Sequence, residues 1–289
     1  MLNPKFLIVR KIKLKKIIFT AFLTIILPSS LIFGWGDKGH KLISAFAMRQ
    51  LPAQMKFSDE FKAAIIAHSV DPDNRKRDDK TEGPKHFIDI DYYKEFSDGM
   101  VIMSRDTLIK LYGEQVVIKE GILPWATELT YFNLMNAFKQ KDKDKVLLYS
   151  SDLAHYVADG HQPLHATINY NGQLTDQKGV HARYEIDMID NYLFVIEKSA
   201  DDQSPYYVNS IPSFIFDYIV GSNSYVEMLL SADKFASKKT DGKYDKEYYR
   251  LLWFKTKYMT ITSINSAALS LSSLIYSAWV DAGKPVFEN

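Results

Sequence analysis

Apolar side chains in this chain recur every three or four residues, and no segment alternates with period two for long enough to build a sheet. Helices packed on helices are then the architecture left open. In residues 37–51 the apolar Leu42, Ile43, Ala45, Phe46, Ala47 and Met48 crowd one stripe, which Pro52 stops. Residues 57–67, 106–119, 124–138 and 143–158 show the same spacing, with breaks at Gly121 and around Lys141 and Asp142. Another helix is expected to open near His181, and the segments 211–230 and 245–282 are long, aromatic and helix-spaced. The polar run 71–84 reads as an exposed loop. With 46% apolar and 13% aromatic residues, and no linker or internal repeat, residues 35–289 are expected to form one all-α, multi-helix domain with a substantial core. Trp125, Trp253 and Trp279 are expected in that core.

The first 34 residues differ. They hold Lys5, Arg10, Lys11, Lys13, Lys15 and Lys16 with no acid, then an apolar run over 17–33 interrupted by Pro28-Ser29-Ser30, and end in the small Gly34. This is the pattern of a signal peptide over residues 1–34, cleaved before Trp35, with a periplasmic or secreted product; an uncleaved signal anchor is the alternative. Removing six cations from 36 leaves 30 against 35 acids, so the mature chain carries about −5, against +1 for the whole. A net acidic chain without a basic stripe is a poor match for duplex DNA. There is no cysteine, so disulfides cannot hold an exported fold together, whereas a bound metal could.

The densest chemistry is His155-x3-Asp159-x5-His165, three potential imidazole ligands and a carboxylate in eleven residues once His161 is counted. Four residues apart, His155 and Asp159 share a helix face, and Pro163 breaks the helix so that His165 can return from a loop. His181 and Glu185 repeat the four-residue spacing sixteen residues later. Imidazole and carboxylate donors suit zinc, and two such pairs favour a cluster over a solvated helix face.

Together with Trp35-Gly-Asp-Lys-Gly-His40 and Lys85-His86-Phe-Ile-Asp89, these motifs resemble the superfamily of bacterial zinc-dependent phospholipases C and fungal single-strand-specific nucleases. The resemblance runs from Trp35 to about Ile189. It implies an all-helical fold around three Zn2+ ions. One ion would take the amine and carbonyl of a mature N-terminal Trp35, with His40 and a shared Asp159. A second would take His86, His155, Asp159 and a loop aspartate, Asp73 in preference to Asp71; the third would take His165, His181 and Glu185. His161 and His68 fall outside that ligand set.

The implied reaction is phosphoester hydrolysis by a metal-activated hydroxide, with Asp73 as the group that orients or deprotonates the water. Phe87 and Asp89 match a stretch that contacts the substrate base in the nuclease branch, and the phospholipase branch has a similar local pattern, so this match does not separate the two. The segment 167–179 lacks the Gly-Gly-Asn of the fungal enzymes, and Glu185 stands where they carry aspartate; both lean toward the phospholipase branch. The substrate expected is thus a phospholipid head group, with single-stranded nucleic acid or a nucleotide as alternative and a non-catalytic zinc-stabilised exported protein as a third reading. No stable protein partner is implied, and membrane contact would come through the substrate or a retained anchor.

Overall fold

Side chains that cap helices mark where several of the elements begin. In the computed structural model, which describes residues 35–287, Ser58, Ser104, Asp142 and Asp245 each accept a backbone N–H from the first turn of the helix that follows. The helices are α1 (Gly36–Gln50), α2 (Asp59–His68), α3 (Asp71–Arg75), α4 (Lys94–Ser97), α5 (Arg105–Tyr112), α6 (Glu114–Lys119), α7 (Leu123–Gln140) and α8 (Lys143–Gly160). There follow α9 (Val180–Ala182), α10 (Ile189–Glu197), α11 (Ile211–Asn223), α12 (Val226–Lys239) and α13 (Lys246–Asp281). Among the described residues there is no strand, so the all-α expectation holds.

The longest element, α13, has 36 residues and packs against α1, α7, α8 and α12. Its buried face is rich in small residues, among them Ala267, Ala268, Ser270, Ser273, Ser277 and Ala278, which let neighbouring backbones approach closely. The serines find partners: Ser277 Oγ accepts the Val208 N–H at 2.9 Å, and Ser272 Oγ donates to Gln50 Oε1 at 2.7 Å. α7 and α8 form the other main pair, turned by Lys141 in the left-handed region (φ 54°). α8 ends where Gly160 meets Tyr218: a Cβ there would lie 2.5 Å from Tyr218 Cε2. Trp253 and Trp279 are buried as expected, whereas Trp125 is only half-buried.

Three expectations need correction. The polar run 71–84 is not simply an exposed loop: Pro72 opens α3, and Asp73 and Glu82 are both buried. The segment 106–119 is two helices, because Gly113 adopts φ 89° between α5 and α6. The segment 211–230 likewise breaks, after Asn223, without a proline to signal it. Within the described residues no helix is long and apolar enough to cross a membrane. The expected signal peptide lies outside the described residues.

Candidate metal centre

The face of α8 that carries His155 and Asp159 is the axis of the site, and both side chains are fully buried. α1 brings His40 onto that face, its ring stacked on His155 with centroids 4.0 Å apart and planes 7° from parallel. α3 brings Asp73, and a 3-10 turn at Gly83–His86 brings His86. A second 3-10 turn, Pro163–His165, returns the chain so that His165 joins the group, as the placement of Pro163 required. His181 lies in α9, and Glu185 in a π-helical stretch, Arg183–Met188, that leads into α10. Wide turns of this kind recur at functional sites. Arg183 fixes the stretch from outside through Asp233 Oδ1 at 2.9 Å and the Tyr248 hydroxyl at 3.0 Å.

Among the described residues, three sets of side chains each bring their ligand atoms within 4.8 Å of one another: His40, Asp73 and His155; His86, His155 and Asp159; and His165, His181 and Glu185. The first two sets share His155. Asp159 faces most of the site, with Oδ2 3.0 Å from His86 Nδ1 and 3.2 Å from His155 Nε2, and Oδ1 3.5 Å from both His40 Nε2 and His165 Nδ1. In the third set, His181 Nε2 lies 2.8 Å from Glu185 Oε2 and 3.1 Å from His165 Nε2.

Backbone carbonyls orient two of the imidazoles. His155 Nδ1 donates to Ser69 O at 2.8 Å, leaving Nε2 to face the cluster, and His165 Nδ1 donates to His86 O at 2.6 Å, leaving Nε2 for the third set. Neither ring nitrogen of His40 has a hydrogen-bond partner, and Asp159 Oδ1 and Asp73 Oδ2 have none either. Buried polar atoms left unpaired are costly. Convergent nitrogens and carboxylate oxygens without partners are the donor set of a cation site, so these residues fit divalent metal ions.

The electrostatics agree. Burial, followed by the neighbouring His155, pushes His40 down to about 3. Burial also opposes a charge on His155, yet Asp159 and Asp73 outweigh it and raise that imidazole to about 9. Asp159 stays well below the usual carboxylate range despite its burial, held there by His155 and His165. Burial raises Glu185 to about 8. A cation entering the cluster would displace protons held by its ligands.

Sequence-predicted residues divide as follows. His40, Asp73, His86, His155, Asp159, His165, His181 and Glu185 all converge. Asp73, not Asp71, joins them: Asp71 is nearly half exposed and pairs with His68 at 2.7 Å on the surface. His40 groups with Asp73 and His155, and the Trp35 side chain is buried beside α8 with Nε1 donating to Ala158 O at 2.8 Å. Phe87 and Asp89 are in none of the three sets. Asp89 is buried; burial first and the neighbouring Glu120 second raise it to about 8. His161 spends both ring nitrogens, on Val157 O and Ser270 Oγ, and stacks on Tyr218.

Three residues around the site escaped sequence reasoning. Lys76 Nζ pairs with Asp73 Oδ1 at 2.5 Å, three residues on in the chain. Glu82 is buried with its Oε1 3.6 Å from His86 Nε2, and it also accepts from Tyr156 and pairs with Lys85 at 2.9 Å. Gln162 Nε2 donates to Glu185 Oε2 at 2.8 Å, while Gln162 Oε1 accepts the Leu164 N–H. Only Gln162 had a signal, its place inside the His-Gln-Pro-Leu-His run. No protein-family model matches the chain, and no curated protein does.

Proposed function

We propose that this chain is an exported zinc-dependent phosphoester hydrolase of phospholipase C type. The observation that carries the reading is the convergence of eight buried imidazole and carboxylate ligands into three neighbouring sets, two of them sharing His155. His40, Asp73, His86, His155 and Asp159 would hold two ions, and His165, His181 and Glu185 a third. A thiolate-free donor set of this kind suits zinc. Bound there, zinc would supply Lewis acidity toward a phosphoryl oxygen and a lowered pKa for a coordinated water.

The chain's own residues have separable tasks in this scheme. Asp73 Oδ2, free of hydrogen bonds, is the acceptor for a proton from the attacking water. His155 and then Lys76 hold Asp73 below the usual carboxylate range despite its burial, and Lys76 would place a cation beside the phosphoryl group. Ser69 O, His86 O and Gln162 fix the orientations of His155, His165 and Glu185, so the ligands need not reorganise when substrate arrives.

One observation favours a lipid over a nucleic acid. Residues 35–289 carry about −5, from 30 basic and 35 acidic side chains, which repels a polyanion. Export rests on the signal-peptide pattern of residues 1–34.

The test is turnover by zinc-loaded protein beginning at Trp35, offered phosphatidylcholine and, separately, single-stranded DNA. Release of the phosphorylated head group, abolished by a chelator and restored by zinc, is expected. Cleavage of the nucleic acid alone would transfer the chain to the nuclease branch. Inertness toward both at full metal occupancy would leave a structural role for the metal and refute the enzyme.

A further inference from the structure

A second concavity lies outside the cluster. It is a groove of about 430 Å³ walled by α7, α8 and the segment between α3 and the Gly83–His86 turn, and none of the candidate metal ligands lines it. Its volume falls within the range of small-molecule sites, about 300–1,000 Å³.

Among the described residues the charges in its wall pair off apart from two, Asp79 and Arg105. Arg75 pairs with Asp152 at 2.9 Å and Glu82 at 3.5 Å, Lys85 pairs with Glu82 at 2.9 Å, and Asp79 accepts from the Thr81 backbone and hydroxyl. Among the described residues Arg105 has no ion pair, and its Nε is buried without a hydrogen-bond partner. Helix stability does not explain Arg105, because a cation in the first turn of α5 meets the positive end of the helix dipole. The backbone just before it is anchored: Trp125 Nε1 donates to Met103 O at 2.8 Å and ties the segment before α5 to the start of α7.

The rest of the wall is mixed, with Thr130 and Asn133 among apolar and aromatic side chains. Leu129 and Leu148 are 62% and 47% exposed there, beside the half-buried Trp125 and Tyr149. Leu129 and Leu148 offer apolar surface on which the hydrocarbon part of a ligand could lie. A guanidinium presents a fork of donors suited to phosphate or carboxylate oxygens.

The geometry points to a second ligand site in this groove, for an amphiphilic anion: one phosphate or carboxylate seated on Arg105, with its aryl or alkyl body laid along Trp125, Leu129 and Leu148. The site is independent of the metal centre and of the hydrolase reading.

Calorimetric titration of the metal-loaded chain tests it, with hexyl phosphate, phenyl phosphate, heptanoate, inorganic phosphate and 1-hexanol as separate probes. At least one amphiphile should bind about tenfold or more tightly than either inorganic phosphate or hexanol, and which one it is identifies head group and body. Arg105→Gln should weaken that binding about tenfold or more. Leu129→Asp, at an exposed position, should do the same with the helical circular dichroism unchanged, so the test stands even if the arginine variant folds poorly. Three results would overturn the assignment: no binding by any amphiphile, affinity untouched by both substitutions, or binding lost to a chelator yet indifferent to both, which would place the anion on the cluster.

Discussion

Replacing Asp159 with asparagine keeps the side chain's size and removes the charge on which the cluster is built. The carboxylate lies within 3.5 Å of His40, His86, His155 and His165, and none of it is exposed to water. The amide of Asp159→Asn would offer one neutral oxygen where the carboxylate serves the second ligand set through Oδ2 and lies 3.5 Å from His40 of the first through Oδ1. Those sets should then lose their ions together, while His165, His181 and Glu185 keep theirs. An ion present at a thousand times its dissociation constant stabilises the fold by about 4 kcal/mol, so losing two of three removes roughly 8 kcal/mol. For a domain of this size that corresponds to a fall of roughly 20 °C in Tm. Elemental analysis should read one ion per chain in Asp159→Asn against three in the wild type, and chelator should lower the variant's Tm far less than the wild type's. Three ions in the variant, or equal chelator sensitivity, would refute the shared-carboxylate argument.

Gln162→Ala removes the donor that orients Glu185, so the third ion should bind about 10- to 100-fold more weakly in a chelator-competition titration while the other two are unaffected. His161→Ala empties a stacked, doubly hydrogen-bonded position and should cost about 2–4 kcal/mol in denaturant unfolding, yet leave three ions bound; loss of one would make His161 a ligand. Gly121→Ala should destabilise the fold by about 3 kcal/mol or more, because Gly121 has φ 94° and a Cβ there would lie 2.1 Å from Phe87 O, itself bonded to the Leu123 N–H. A midpoint in urea equal to the wild type's would contradict that packing.

Much of the site was legible because its spacing is helical arithmetic. Four-residue steps put His155 with Asp159 and His181 with Glu185, and Pro163 forced the return that delivers His165. Choosing between Asp71 and Asp73 was harder. Both sit in the first turn of α3 about 200° apart around its axis, and only the packing of α3 on α8 turns Asp73 inward and Asp71 toward His68. Glu82 was invisible for a related reason: its burial depends on Tyr156, 74 residues away, and on Arg75 and Lys85 to balance its charge. The run 71–84 is exposed at Asn74 and over 77–81, but Asp73 and Glu82 are buried within it. The break after Asn223 lacks a proline, and the one at Gly113 shows only in a backbone angle, so periodicity ran through both. The π-helical stretch at Arg183–Met188 had no local signature either, because it is pinned by Asp233 and Tyr248 from α12 and α13.

The central claim is that imidazoles and carboxylates from α1, α3, α8, α9, the π-helical stretch and two 3-10 turns surround a group of zinc ions. Anomalous X-ray diffraction from crystals of the chain beginning at Trp35, recorded on both sides of the zinc absorption edge, measures this directly. Three peaks are predicted, one bounded by His165, His181 and Glu185 and two among His40, Asp73, His86, His155 and Asp159. Zinc found only outside these residues, or none at stoichiometric occupancy in protein never exposed to chelator, would contradict the account.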